Sequence, residues 1–148
     1  MKPRFTVIPA VYVIFRDGEK VLLLRRANTG YHDGEYSLPA GHVDGGEPAI
    51  QAACREAREE VGVTINSEDL LLVHTMHRVS NEPELHERLD LYFETVRWDG
   101  DTQNAEPDKC DELRWMDLRK LPENVVPEVR QALEAYDVGE PYSSFNFV

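Results

Sequence analysis

Arg55, Glu56, Glu59 and Glu60 stand together in the stretch Cys54-Arg55-Glu56-Ala57-Arg58-Glu59-Glu60. On a helix turning about 100° per residue, Glu56 and Glu60 fall about 40° apart and Glu59 about 60° from Glu56, so three carboxylates share one arc. Their repulsion costs stability unless a counterion is near, and Arg55, one helical turn before Glu59, can pair with it. Three carboxylates, a guanidinium and a neighbouring backbone carbonyl suit a hard divalent cation, because Mg²⁺ takes oxygen ligands and keeps positions open for water and substrate phosphates. The chemistry implied is metal-assisted cleavage at phosphorus. Taken alone, the three glutamates would suit a solvated acidic helix face equally well. What surrounds them decides.

The helix that must hold them is the clearest element in the chain. Pro48 suits its first position, Glu47 complements the helix dipole, and Gly62 suits the C-terminal cap. Ile50, Ala53, Cys54, Ala57 and Val61 form an apolar stripe that predicts the buried face, while Ala49 and Ala52 leave room beside the carboxylates for the preceding glycine loop. Upstream, residues 6–15 and 20–25 read as two antiparallel strands joined at Asp17-Gly18, residues 27–35 as a loop, and Tyr36-Ser37-Leu38 as a short strand leading into Pro39-Ala40-Gly41. Downstream, residues 70–78, 87–97 and 112–116 read as strands, and 127–137 as a helix with Val129, Leu133 and Tyr136 near one face. This order predicts an α/β (α+β) domain over residues 1–148, a mixed sheet sandwiched between helices, with the tail 138–148 either packed or loose.

Composition narrows the function. The chain has 148 residues, with 16 Lys and Arg against 28 Asp and Glu and a formal net charge of -12, which argues against holding nucleic acid by phosphate neutralisation. An anionic substrate therefore needs a cation as intermediary. Cys54 and Cys110 make no C-x-x-C pair or disulfide framework, and no apolar run approaches the roughly 18 residues of a membrane span. The expectation is a cytoplasmic protein with no membrane partner. His32, His42, His74, His77 and His86 show no zinc spacing, no G-x-S-x-G elbow supports a serine nucleophile, and no EF-hand spacing supports a calcium-binding domain.

From Gly41 the chain reads GHVDGGEPAIQAACREAREEVGV, which fits G-x5-E-x7-R-E-U-x-E-E-x-G-U, with U aliphatic, at Gly41, Glu47, Arg55, Glu56, Ala57, Glu59, Glu60, Gly62 and Val63. From average composition, the seven fixed letters would arise by chance in fewer than about one chain in a million of this length. The acidic-face explanation cannot account for that spacing. The stretch resembles the signature of the Nudix (MutT-like) hydrolases, with Ala57 smaller than the Leu, Ile or Val usual there. The end of the second strand at Arg25-Arg26, the Leu38-Pro39-Ala40-Gly41 entry and Trp115 are also similar to the family, so the likeness extends over residues 5–136.

The resemblance implies the Nudix fold and hydrolysis of a nucleoside diphosphate linked to another group. It implies Mg²⁺ as cofactor, with Mn²⁺ as the alternative, held by Glu56, Glu59, Glu60 and the Ala40 carbonyl. Glu56 is our choice for the base, Arg55 orients a glutamate, and Glu106 is the expected loop ligand, with Asp108 as its neighbour candidate. Arg25 and Arg26 point to opposite faces of a strand, and Arg26 is the expected substrate contact. Gly41, Tyr36 and Trp115 are further substrate-binding candidates, the aromatic rings, with Tyr31, as platforms for a base. The expected partner is a small nucleotide, the leading substrate a normal or oxidised nucleoside triphosphate cleaved to monophosphate and pyrophosphate. Glu106-Pro107-Asp108-Lys109-Cys110 is also similar to members acting on triphosphates of small bases or pterins. Val79, Ser80 and Asn81 stand where subgroups acting on dinucleoside polyphosphates or ADP-ribose carry a tyrosine or proline. A nucleotide-sugar or dinucleoside polyphosphate hydrolase and a non-catalytic nucleotide sensor are the alternatives, and a homodimer is left open.

Overall fold

The computed structural model describes residues 2–81 and 86–148. Its centre is β1 (Ile8–Asp17), in which Ala10 to Phe15 are all buried. A strand covered on both faces reads as a continuous apolar run, as this one does. Ala10, Tyr12 and Ile14 belong to one core and Val11, Val13 and Phe15 to another, as the alternation of a strand requires. α1 (Ala49–Val61) closes the second core with Ala52, Ala53, Cys54, Ala57 and Val61. α2 (Pro127–Asp137) closes the first with Val129, Ala132 and Leu133. The mixed sheet between two helices is the expected sandwich.

β1 pairs in parallel with β6 (Glu87–Thr95) from Ile8↔Arg88 to Phe15↔Thr95, and antiparallel with the short β4 (Ala40–His42) at Ala10 to Tyr12. β5 (Leu71–Val79) runs antiparallel beside β6. A last strand, β8 (Tyr142–Phe145), adds parallel to β5, so the tail contributes an element that the sequence reading left open. The other portion of sheet is β2 (Lys20–Arg26), flanked antiparallel by β3 (Tyr36–Ser37) and β7 (Cys110–Asp117).

One departure from expectation creates the site. The predicted hairpin forms, with Gly18 at φ 59°, but β1 and β2 pair only at Arg16↔Val21 and Asp17↔Lys20. Beyond those two pairs the strands part, β1 toward β6 and β4, β2 toward β7. The far ends of the hairpin become opposite walls of a cleft, with Ala10 and Tyr12 on one side and Leu24 and Arg26 on the other. A second departure is small: Pro48, at φ -64° and ψ 149°, is the N-cap instead of the first helical residue. Gly62 takes the left-handed C-cap expected of it, at φ 74°. No helix among the described residues is long and apolar enough to cross a membrane.

Leu133 is wholly buried under the sheet on α2. Leu133→Ala is expected to cost about 2–5 kcal/mol, read as a lower urea midpoint with an unchanged slope; a midpoint equal to the parent's would contradict this packing.

Candidate active site

The cleft between the two sheet portions is open and holds about 600 Å³. The C-terminal half of α1 supplies Glu56 and Glu60, the loop before β7 supplies Glu106 and Lys109, β2 supplies Arg26, and β5 and β6 supply Arg78 and Arg88. Carboxylates and cations thus share one space with the backbone of Ala40 and Gly41, and Lys109 lies 3.7 Å from Glu106 on the same loop.

Local structure explains how each side chain gets there. Arg55 lies at the junction of helix and loop. Its Nη2 and Nε donate to the two oxygens of Glu47 at 2.7 and 3.2 Å, its Nη1 donates to Glu56 at 2.8 Å and to Glu59 at 3.4 Å, and Nη2 also reaches the His42 carbonyl at 3.1 Å. Paired donation to one carboxylate is the strong geometry of a guanidinium. The Arg55 hydrogen bond, then the Asp44 N–H, hold the Glu47 carboxyl below its ordinary pKa. Gly41 has a different task. A Cβ there would fall on the Glu56 carboxylate, so only glycine lets the loop pass this close.

Glu106 is placed by backbone bonds to the end of α1 and by the Asn104 side chain. The last carbonyls of a helix have no partner within it; here Val61 O accepts from Gln103 N at 3.0 Å and Glu60 O from Ala105 N at 3.1 Å. Asn104 closes the loop, accepting Glu106 N at 3.1 Å and donating to Cys110 O at 2.6 Å. Gly62 serves this junction as well as the cap, because a Cβ on it would meet the Gln103 side chain at 2.7 Å.

The carboxylates are costly where they stand. Loss of hydration raises the Glu56 pKa in spite of the Arg55 hydrogen bond, and Glu59 and Glu106 add to the rise. Loss of hydration, then the Glu56 charge, pushes Glu60 up to about 8, against the pull of the Ala40 N–H donated to it at 2.9 Å. All the acidic side chains lining the cleft offer oxygen, the donor set of a hard divalent cation.

Several expected site residues lie together and others do not. Arg26, Ala40, Gly41, Arg55, Glu56, Glu60 and Glu106 line the cleft, as does Tyr31. Glu59 does not line it; its more exposed carboxylate shares the Arg55 Nη1 donor with Glu56, so two of the three helix carboxylates face the cleft and the third stands at its edge. Among the described residues no three His, Cys, Asp or Glu side chains are already drawn together as a ligand cluster. Like charges have instead each found a donor. Tyr36 and Trp115 are also corrected, since neither lines the cleft. The Tyr36 hydroxyl donates to Glu112 at 2.8 Å with its ring in the α2 core, and Trp115 stacks on Trp98 at 5.9 Å beside the α1 core. Arg25 turns away to Asp111 at 2.6 Å, where β7 carries one residue more than β2 between the partners of Arg25 and Arg26.

Tyr12, Arg78, Arg88, His42 and Lys109 also line the cleft and were not anticipated. Arg78, Arg88 and Asp90 sit at inward positions of β5 and β6, in step with Met76 and Tyr92. Charges on the apolar phase of a strand were the available signal. Arg88 Nη1 lies 2.8 Å from His42 Nε2, and because a guanidinium only donates, that nitrogen is the acceptor.

With this geometry in hand, comparison with known proteins is direct. The NUDIX domain family matches residues 6–136. The chain belongs to the Nudix family. It is 25% identical over 130 residues to a putative 8-oxo-dGTP diphosphatase of Bacillus subtilis, covering 88% of this chain and 79% of that one. An NAD-capped RNA hydrolase, NudC, of Stutzerimonas stutzeri is 31% identical over 130 residues, covering 86% of this chain but 42% of the relative, so this Nudix chain spans under half of that protein. The crystal structure of a MutT NUDIX hydrolase from Burkholderia pseudomallei superimposes with a TM-score of 0.77 at 24% identity, covering 88% and 98% of the two chains, and shares the fold.

Gly41→Ala is expected to displace Glu56 and cut turnover by about 100-fold or more while the urea midpoint moves little; parent-like turnover would show that Glu56 need not stay where it is. For Glu60 the sign is set by a raised pKa: between its ordinary 4.5 and about 8 the folded chain holds a proton the unfolded chain has released, so stability without metal falls as pH rises across that window. Glu60→Gln should flatten this part of the fall in a chelator-treated urea series, and equal slopes in both proteins would refute it.

Proposed function

We propose that this Nudix chain is a divalent-cation-dependent pyrophosphohydrolase that converts a nucleoside triphosphate, normal or oxidised, to the monophosphate and pyrophosphate. The observation that supports it best is that one cleft gathers the carboxylates of Glu56, Glu60 and Glu106 with the cations of Arg26, Arg88 and Lys109. Such a cleft offers oxygen ligands for a cation and donors for a polyphosphate together. The naming of a B. subtilis relative as a putative 8-oxo-dGTP diphosphatase supports the same substrate class.

Glu56, Glu60, Glu106 and the Ala40 carbonyl are the groups that would hold Mg²⁺ or Mn²⁺. Their fit rests on an all-oxygen donor set and on the electrostatic cost of Glu56 and Glu60 side by side. When bound, the cation neutralises phosphate charge and makes a water more acidic. The chain does the rest. Arg26, Arg88 and Lys109 bind the phosphate oxygens. Glu56 accepts the proton of the attacking water at a carboxylate oxygen, and Arg55 acts as a positioning residue, fixing Glu56 against the loop. Glu59, at the edge of the cleft, supports Arg55.

The test is a Mg²⁺-dependent assay over nucleoside triphosphates, dinucleoside polyphosphates, ADP-ribose and nucleotide sugars, run in ¹⁸O-water to show which phosphorus is attacked. Label in one product, with monophosphate and pyrophosphate formed, is the expected result. No turnover of any diphosphate-linked nucleotide would favour a binding module. Glu56→Gln and Glu60→Gln are each expected to lower kcat by orders of magnitude with the fold kept. Near-parent rates in both would remove these carboxylates from the mechanism.

A further inference from the structure

Away from the carboxylates, the floor of the cleft is built from charge at inward positions of β5 and β6. Arg78 and Asp90 are 4% and 0% exposed, and Arg78 stands directly opposite Arg88 in the ladder. Like charges opposed across a ladder repel, and a buried guanidinium is costly unless acceptors surround it. Arg78 has them on three sides. Its Nε donates to Asp90 Oδ2, its Nη2 donates to the Tyr12 hydroxyl at 3.4 Å, and its Nη1 lies 3.6 Å from Glu128 Oε1 at the start of α2. Glu128 is fixed in turn by the Tyr31 hydroxyl, which donates to it at 3.0 Å, and Tyr12 by stacking on Tyr92 with ring centroids 4.5 Å apart.

A guanidinium carries five N–H donors, and these contacts do not use them up. Beyond the Asp90 and Tyr12 bonds the guanidinium has only the longer ion pair and a weaker contact with the Tyr31 hydroxyl, and Nη2 keeps a second N–H, while Arg78, Tyr12 and Tyr31 all line the cleft. Spare donors on a nearly buried, rigidly held fork call for an acceptor that arrives with the substrate. Phosphate is the wrong acceptor. The charge of Arg78 is already matched by Asp90 and Glu128, so a phosphate placed there would face two carboxylates, whereas Arg26, Arg88 and Lys109 line the same cleft. A neutral carbonyl oxygen fits, because it takes the donors without adding charge, and a planar fork suits the edge of a planar ring.

We propose that Arg78 is a specificity-determining residue that donates from Nη1 and Nη2 to the carbonyl-bearing edge of the substrate's nucleobase, held for that task by Asp90, Tyr12 and Glu128. The proposal rests on the nucleotide reading above and deepens it by assigning the ends of the cleft. Phosphates lie toward Glu56 and Glu60, and the base lies over Tyr12 and Arg78.

The experiment measures calorimetric affinity of the full chain with Mg²⁺ for α,β-imido triphosphates of guanosine, inosine, uridine, cytidine and adenosine, and for inorganic tripolyphosphate. Adenine alone among these bases lacks a carbonyl. The parent should bind at least one carbonyl base more tightly than adenosine, and Arg78→Lys should lose about 10- to 100-fold on that base while adenosine and tripolyphosphate are unchanged. A parent that prefers adenosine, an equal loss on every compound, or no loss would overturn the assignment. Should Arg78→Lys not fold, the pair Arg78→Met with Asp90→Asn removes both charges together and is held to the same outcomes. Turnover of the ordinary triphosphates by the parent separates the two claims. Base-dependent loss of affinity without turnover would retire the hydrolase reading and keep Arg78, and turnover without base-dependent loss would do the reverse.

Discussion

The site depends on one guanidinium. Arg55 joins the loop at His42, Asp44 and Glu47 to the helix at Glu56 and Glu59. Single ion pairs at a surface contribute little, but this network has the forked geometry that distinguishes strong pairs. Its effect is to set the distance between a glycine loop and a helix whose glutamates repel each other. Without that constraint, the bare backbone of Gly41 would have no fixed relation to Glu56, and the acidic wall would have no defined shape.

A second constraint acts on the scale of the fold. Because β1 and β2 pair at only two positions beyond their turn, the same hairpin belongs to two portions of sheet, and the cleft is the seam between them. Residues from both cores reach its walls, Tyr12 from the α2 side and Glu56 from α1. The carboxylate end and the Arg78 end are therefore built by different packing layers.

Much of this was legible in the sequence because it is local. The helix over Ala49–Val61, its Gly62 cap and the spacing of Arg55, Glu56 and Glu60 follow from periodicity and dihedral preference, whereas periodicity put Arg25 and Arg26 on opposite faces and the family resemblance chose Arg26. Glu59 was misplaced because its arc position is compatible both with the cleft and with pairing to Arg55, and only the tertiary position of Arg55 decides between them. Tyr36 and Trp115 were misplaced because a large ring near a strand end is recorded in the same letters whether it faces a ligand or a core. The parting of the hairpin strands depends on partners distant in the chain, β6 and β7, so nothing within residues 8–26 announces it. Arg78 and Asp90 were legible in principle, as charges on the apolar phase of strands.

The tether that places Glu106 consists of backbone N–H groups of Gln103 and Ala105 bonded to the last carbonyls of α1. Such bonds are indifferent to side-chain identity, and proline alone, lacking the N–H, is barred from making them. With Asn104 kept to accept the Glu106 N–H, the exposed side chains of this loop can therefore change while the acidic residue stays in register with the helix.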